Sequence, residues 1–276
     1  MNNNEEYKLY NGDCLAVMDK LIEQGVKVDA IITDPPYGTT ACKWDIVIPF
    51  DEMWNRLNKL IKPTGAIALF ATEPFATKLR ISNFDNYKYD WYWKKSKSSL
   101  YQHAKNRPMR AIENVCVFSK SKWGHKAQLR DKRMEYNPQG ISSIGIKTVT
   151  KNFNAGGVVG ERPNQIGKQY EAFTGFPTDV LEFKSITGKS CLHPTQKPVD
   201  LLEYLIRTYT NENDLVLDFT MGSGSTGVAC INTNRKFIGV EINEKYFNIA
   251  KDRIEAAILT NKPVSYTHLT LPTKRI

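Results

Sequence analysis

A chain of 276 residues with a formal net charge of +9 is long enough to bury a full α/β core, as one large domain or as one domain carrying an insertion. No apolar run reaches the ~18 residues that a membrane span needs, and the opening MNNNEEYKLY is no secretory leader, so a soluble cytoplasmic protein is expected. The five cysteines (Cys14, Cys42, Cys116, Cys191, Cys230) include no Cys-x-x-Cys pair and the four histidines are dispersed, which argues for reduced, mostly buried thiols and against a metal site.

The first strongly patterned stretch is VDAIITDPPYG, Val28 to Gly38. Val28, Ala30, Ile31 and Ile32 read as a short buried strand, and Asp34 follows at its carboxyl end, where open α/β sheets bind their ligands. Proline fixes φ and lacks an N–H, so Pro35 and Pro36 end the strand and stiffen the link between Asp34 and Tyr37. A carboxylate, a bare carbonyl and a ring held at a strand tip can grip a flat molecule that carries an amino group. The tetrapeptide alone is also compatible with a Pro-Pro turn whose aspartate is hydrated.

Further along, Met53, Trp54, Leu57, Leu60 and Ile61 share one helical face, with Pro63-Thr64-Gly65 expected to stop the helix. AIALF (66–70) predicts a strand, EPFATKLRIS a helix, YKYDWYWKK (87–95) a strand and NVCVFSK (114–120) another. Within YKYDWYWKK, alternation predicts that some of Trp91, Tyr92 and Trp93 are sheet core. Periodicity fails between about Ser121 and Cys191, where NFNAGGVVGERPNQIG is glycine-rich and loop-like and a strand signal returns at DVLEFKS. Regular pattern resumes with an amphipathic helix through Leu201, Leu202, Leu205, Ile206 and Tyr209, a buried strand DLVLDF (214–219), its neighbour KFIGVEI (236–242) and a closing helix NEKYFNIAKDRIEAAI. Alternating strands and helices of this kind build a mostly parallel sheet covered on both faces. Residues 264–276 have neither periodicity; Val264 to Leu269 resembles a translated sequencing adapter, and a non-native tail is expected there.

Charge is unevenly placed. From Lys94 to Lys168 there are 16 Lys and Arg against four acids, a local net of +12, which leaves −3 for the remainder. Basic charge gathered in one middle segment points to a polyanion, because each neutralised phosphate releases counterions, although a solvated basic face has the same composition.

After DLVLDF, TMGSGSTG places Gly222, Gly224 and Gly227 in a Gly-x-Gly-x-x-Gly turn, and Glu241 ends the next strand. Glycines let a backbone approach a nucleoside and the acid accepts from its ribose. Too little chain follows Gly227 to build the two halves of a dinucleotide fold, so a mononucleoside-type cofactor fits better.

Five separated motifs then stand in a telling order: NGDCL (Asn11 to Leu15), TDPPYG, HPTQKP (His193 to Pro198), DFTMGSGSTG (Asp218 to Gly227) and GVEI (Gly239 to Ile242). In these the chain resembles the β-group amino methyltransferases of DNA, over about Tyr7 to Ile258. The resemblance implies a Rossmann-like S-adenosylmethionine-dependent methyltransferase fold with circularly permuted motif order. It divides the chain into a first catalytic part (1–120), a target-recognition insertion (121–191) and a second catalytic part with the glycine loop (192–263). It further implies that Asp34 and the Pro35 carbonyl, stiffened by Pro36, accept the protons of an exocyclic amine while Tyr37 stacks on a flipped base. Asp218, Gly222, Ser223 and Gly224 would bind the cofactor and Glu241 its ribose; Asp13 would face its adenine, and Thr195 and Lys197 its amino-acid end. Lys94, Lys95, Arg107 and Arg110 are the candidates for DNA backbone contacts. The family usually reads Asp-Pro-Phe-x-Gly at the glycine loop, whereas here Phe219 and Thr220 follow Asp218, so no cofactor contact is expected of these two. The expected activity is adenine-N6 methylation, since the family tends to carry serine in place of Asp34 when cytosine N4 is the target. Cytosine-N4 methylation and a catalytically inactive DNA-binding protein are the alternatives. A protein glutamine methyltransferase is disfavoured, because those chains carry the glycine loop first. The expected partners are double-stranded DNA, with a second copy of the chain and a cognate restriction endonuclease as further candidates, and no membrane.

Overall fold

The computed structural model describes residues 6–40, 42, 45–122, 130–150, 166–188 and 191–261. The expected tail at 264–276 and most of NFNAGGVVGERPNQIG lie outside them. From the amino end the chain forms β1 (Tyr7–Asn11), α1 (Cys14–Glu23), β2 (Val28–Thr33), α2 (Phe50–Leu60), β3 (Ile61–Ala71), α3 (Phe75–Ser82), β4 (Tyr87–Ser99) and β5 (Arg110–Phe118). A small antiparallel ribbon of β6 (Ser142–Thr148) and β7 (Gln169–Thr174) comes next. The remainder is β8 (Val180–Phe183), α4 (Val199–Tyr209), β9 (Leu215–Asp218), α5 (Ser225–Asn232), β10 (Lys236–Glu241) and α6 (Glu244–Asn261).

Eight strands join in the order β1-β10-β9-β2-β3-β5-β4-β8, parallel throughout except that β5 runs against both of its neighbours. Alternate strand residues feed two cores. On one face Ile31, Ile67, Leu69, Leu217 and Val240 meet α1, α2 and α3; on the other Ala30, Ile32, Phe70, Trp91, Trp93 and Val115 meet α4, α5 and α6. The expected doubly covered sheet is therefore the observed one, and Trp91 and Trp93 are its core while Tyr92 faces solvent.

In α2 the buried Met53, Trp54, Leu57 and Leu60 recur at helical spacing, and Asp51 and Glu52 sit favourably in the first turn. The helix stops at Leu60, before the expected Pro63-Thr64-Gly65 stop, and Ile61 is already extended with ψ 137°. Proline at 63 disfavours the helical region for the residue before it. Gly65 packs so tightly that a Cβ there would lie 2.6 Å from the Asp29 carbonyl, which draws the chain directly into β3.

Strands β2 and β9 are the neighbours at which the sheet order changes direction, with Ile31 opposite Leu217. Ligand crevices open at such a switch point, outside the carboxyl ends of the strands. The turns after these two strands are the Asp34 and glycine-loop segments. Among the described residues no helix is long and apolar enough to cross a membrane.

Candidate active site

Past the end of β2, Asp34 and Tyr37 lie on the wall of a cavity of about 400 Å³. Tyr37 donates its hydroxyl hydrogen to Asp34 Oδ1, and its ring rests 4.9 Å from that of Phe75. Beyond the turn, Asp45 accepts the backbone N–H groups of Gly38, Thr39 and Thr40 at 2.7–2.9 Å, which ties the following loop to the cavity rim. The two-proline turn thus delivers a carboxylate and a ring as one rigid piece.

Behind Asp34 lies a buried charge cluster. Lys197 Nζ stands 2.5 Å from Asp34 Oδ2 and 2.9 Å from Glu113 Oε1, and Lys95 Nζ stands 2.5 Å from Glu113 Oε2. Lys197 also lies over the Phe70 ring at 4.9 Å. Burial pushes the Asp34 carboxyl up against the opposing pull of Lys197, and Glu113 pushes it up further. Burial would raise Glu113 as well, but Lys197 and Lys95 hold it below the usual carboxylate range. Burial also lifts the Tyr37 phenol well above its ordinary value, so Tyr37 stays protonated as a donor.

The opposite wall is the glycine loop between β9 and α5. Gly222 has φ +52°, a backbone that L side chains rarely adopt, and its N–H donates to Glu241 Oε2 at 2.9 Å. Asn243 N–H donates to the other oxygen, Oε1, at 2.8 Å, so the Glu241 carboxylate is fixed at the cavity wall with lone pairs to spare. From α6, Arg253 donates to the Ser223 hydroxyl and to the Ser225 hydroxyl at 3.1 and 3.2 Å and anchors the loop from behind.

Two strand tips are stitched together by threonines. Thr220 Oγ1 donates to the Asp34 carbonyl at 3.1 Å and lies 2.8 Å from Thr33 Oγ1. Thr33 and Thr226 donate to Asp218, as does the Thr220 N–H at 3.1 Å. With its own carbonyl occupied, Asp34 leaves that of Pro35 as the next along the turn.

The cavity is therefore bounded by an amine-type grip at one end and a nucleoside-type grip at the other. The sequence profile of the DNA methylase family matches residues 28–252. The chain belongs to the DNA methylase family. Among this methylase's relatives, the type II methyltransferase M1.MboII of Moraxella bovis is 30% identical, covering 88% of this chain and 94% of its own. The DNA adenine methyltransferase YhdJ of Escherichia coli is 27% identical over 92% of this chain and 84% of its own. The solved complex of M1.HpyAVI with S-adenosylmethionine superimposes with a TM-score of 0.60 at 26% identity, covering 90% of the methylase and 98% of that chain.

The fold gathers Asp13, Asp34, Pro35, Pro36, Tyr37, Thr195, Lys197, Gly222, Ser223 and Glu241 around one cavity. It places others differently from expectation. Asp218 does not line the cavity but lies behind the loop, 3% exposed, held by its three donors. Gly224 packs on Ala250, whose Cβ would be 2.7 Å from a Cβ at 224, and serves the loop's geometry. Phe219 and Thr220, from which no contact was expected, both border the cavity; Phe219 fills the core beneath it. Lys197 pairs with Asp34 rather than standing apart on the cofactor side. Lys95 is turned inward onto Glu113, which removes it from the backbone-contact set, because β4 alternation sends Lys94 out and Lys95 in. Lys94 pairs with Glu182 at the surface, Arg107 is exposed, and Arg110 donates to the Glu73 carbonyl. Of the cysteines, Cys116 and Cys230 are buried and the other three partly so.

Sequence reasoning missed Asp45, which borders the cavity, and also Glu113, which lies in the charge cluster behind it. The signal for Glu113 was its place in the inward register of β5, in phase with the buried Val115 and Val117. Because β5 is antiparallel, its beginning reaches the carboxyl end of β3, where the cavity opens.

Proposed function

We propose that the methylase transfers a methyl group from S-adenosylmethionine to the exocyclic N6 amine of an adenine flipped out of duplex DNA. The single observation that carries the reading is the rigid Asp34–Tyr37 pair facing the Gly222–Glu241 wall across one cavity. The residues fit the donor: Glu241 offers fixed acceptors for ribose hydroxyls, and Gly222 and Ser223 bring backbone to the cavity wall without a bulky side chain. When bound, S-adenosylmethionine supplies an electrophilic sulfonium methyl.

The amine of adenine is a poor nucleophile because its lone pair is delocalised into the ring. Asp34 and the Pro35 carbonyl accept its two hydrogens, which draws the nitrogen toward tetrahedral geometry and aims the lone pair. Asp34 then takes the proton that the methylated nitrogen sheds. The Tyr37 ring offers a face to the extrahelical base, which offsets part of the few kcal/mol that unstacking costs.

Arg107, Arg110 and Lys94 meet phosphates, and the β6–β7 ribbon in the 121–191 segment reads bases; a two-stranded ribbon fits the major groove. The reading of adenine rests on Asp34, which a cytosine-N4 enzyme of the resembling family would tend to replace with serine, and accords with the name of YhdJ. The type II designation of M1.MboII supports a restriction endonuclease as functional counterpart, and action on cellular DNA supports a cytoplasmic setting.

The test uses labelled S-adenosylmethionine and unmethylated mixed-sequence duplex, digested to nucleosides and separated. Label in N6-methyladenosine, lost on Asp34→Asn with donor binding retained, is the expected result. Label in N4-methylcytosine moves the assignment to the other base, and donor and DNA binding without transfer makes the protein an inactive binder.

A further inference from the structure

A buried ion pair stabilises a fold little beyond what an apolar pair of the same shape would contribute, so charged groups held beneath a site call for another role. Here four charges meet: Asp34, Lys197, Glu113 and Lys95, with side chains 17, 9, 5 and 16% exposed. They come from four separate segments: the turn after β2, the stretch before α4, the reversed strand β5, and β4. Methyl transfer as described above uses only Asp34. Glu113 touches Lys197 through one carboxylate oxygen and Lys95 through the other, and the Tyr37 hydroxyl lies 3.4 Å from Oε1. The cation on Asp34 is therefore shared between two carboxylates.

We propose that Glu113 is a positioning residue for methyl transfer: Lys197 keeps Asp34 ionised, and Glu113, by sharing that cation, leaves Asp34 only partly neutralised and so a strong acceptor for the amine hydrogens. This rests on the reading of Asp34 as the amine acceptor. Lys197 bound to Asp34 alone would satisfy that carboxylate and blunt it; without Lys197, burial would protonate it. Lys95 sets the division, because the more of Glu113 it claims, the less Glu113 draws on Lys197. Among the described residues, Tyr37 donates to Asp34, Asp218 lies behind the threonines, and His193 stands beside Lys197, where burial and that cation push it down to about 4 and keep it neutral in the working range.

The arrangement predicts opposite effects from two neighbours. Glu113→Gln removes a negative charge, so the acid limb of kcat moves to lower pH by about one pH unit. The plateau falls about tenfold or more, since the acceptor is weaker, while KM for DNA holds. Lys95→Gln leaves Glu113 to draw harder on Lys197, and the limb moves to higher pH. The double variant restores charge balance, guards against a fold lost through one unpaired buried charge, and moves the limb down from wild type. Glu113→Asp returns the limb toward wild type.

The same titration is read without catalysis from the Asp34 carboxyl carbon in protein labelled at aspartate side chains, the signal being assigned by its loss in Asp34→Asn. Shifts of opposite sign for Glu113→Gln and Lys95→Gln support the inference. Shifts of one sign, or none, overturn it and leave Glu113 as an anchor for two lysines. Failure of the amine-acceptor reading is distinguishable: the wild type would transfer no methyl while its Asp34 titration still reported on Glu113.

Discussion

Asp218 ties stability to pH at the level of a single side chain. It is 3% exposed, and burial pushes its carboxyl up to about 6 from an ordinary 3.8 despite hydrogen bonds from Thr226, Thr33 and the Thr220 N–H. A native carboxyl that binds its proton more tightly than the unfolded chain does costs stability as pH rises. The loss therefore begins near the unfolded value, is complete above the folded one, and amounts to about 3 kcal/mol. Asn fits the same donors: Oδ1 accepts from Thr33 and the Thr220 N–H, and the amide donates to a rotated Thr226. Asp218→Asn should accordingly gain on wild type as pH rises, the difference in Tm growing by about 4 °C between pH 5 and pH 7.5 in thermal melts. A difference constant across that range would mean that Asp218 ionises like an exposed aspartate.

Among the elements, the β6–β7 ribbon contributes least to the core, and this sets what its removal does. All of β6 is exposed and only Ala172 of β7 is buried, 7% exposed. The feet of the ribbon meet at Gly140 and Gly175, where a Cβ on Gly175 would lie 2.5 Å from the Gly140 carbonyl oxygen. Joining Ile141 to Gly175 in place of 142–174 should leave the melting transition within a few degrees of wild type and keep S-adenosylmethionine affinity by calorimetry, while specific DNA binding falls at least tenfold. Loss of the cooperative transition would show that the ribbon is part of the fold's core instead. The same exposure explains why this element was illegible in the sequence: with neither face buried, no alternation of burial marks it. By contrast β2, β9 and β10 were legible because their apolar runs end on Asp34, the glycine turn and Glu241. The Asp34 cluster was half legible. Its carboxylate stands next to two prolines in the chain, whereas Glu113 reaches it through the reversal of β5 and Lys95 through the pairing of β4 with β5, non-local pairings that local periodicity cannot report.

At the scale of the molecule, the charge map and the cavity work against each other unless DNA arrives from one side. The segment 94–168 carries +12 and the remainder −3, while the cavity itself is bordered by Asp13, Asp34, Asp45 and Glu241. Phosphates are disfavoured beside these carboxylates, and an extrahelical base with its amino group is the part of DNA suited to enter. Binding driven by counterion release weakens linearly in log salt, by about 0.9 in slope per phosphate engaged on duplex DNA. Arg107, exposed on the loop between β4 and β5, should lower that slope by about one phosphate when changed to Ala, with turnover at saturating DNA unaltered. Lys95→Gln should do the reverse, changing the pH profile of turnover and leaving the salt slope as it was, because its charge is spent on Glu113. Measured on one duplex across a salt series, a slope that drops for Lys95→Gln and not for Arg107→Ala would place the DNA on the other side of β4, and with it the approach of the target base.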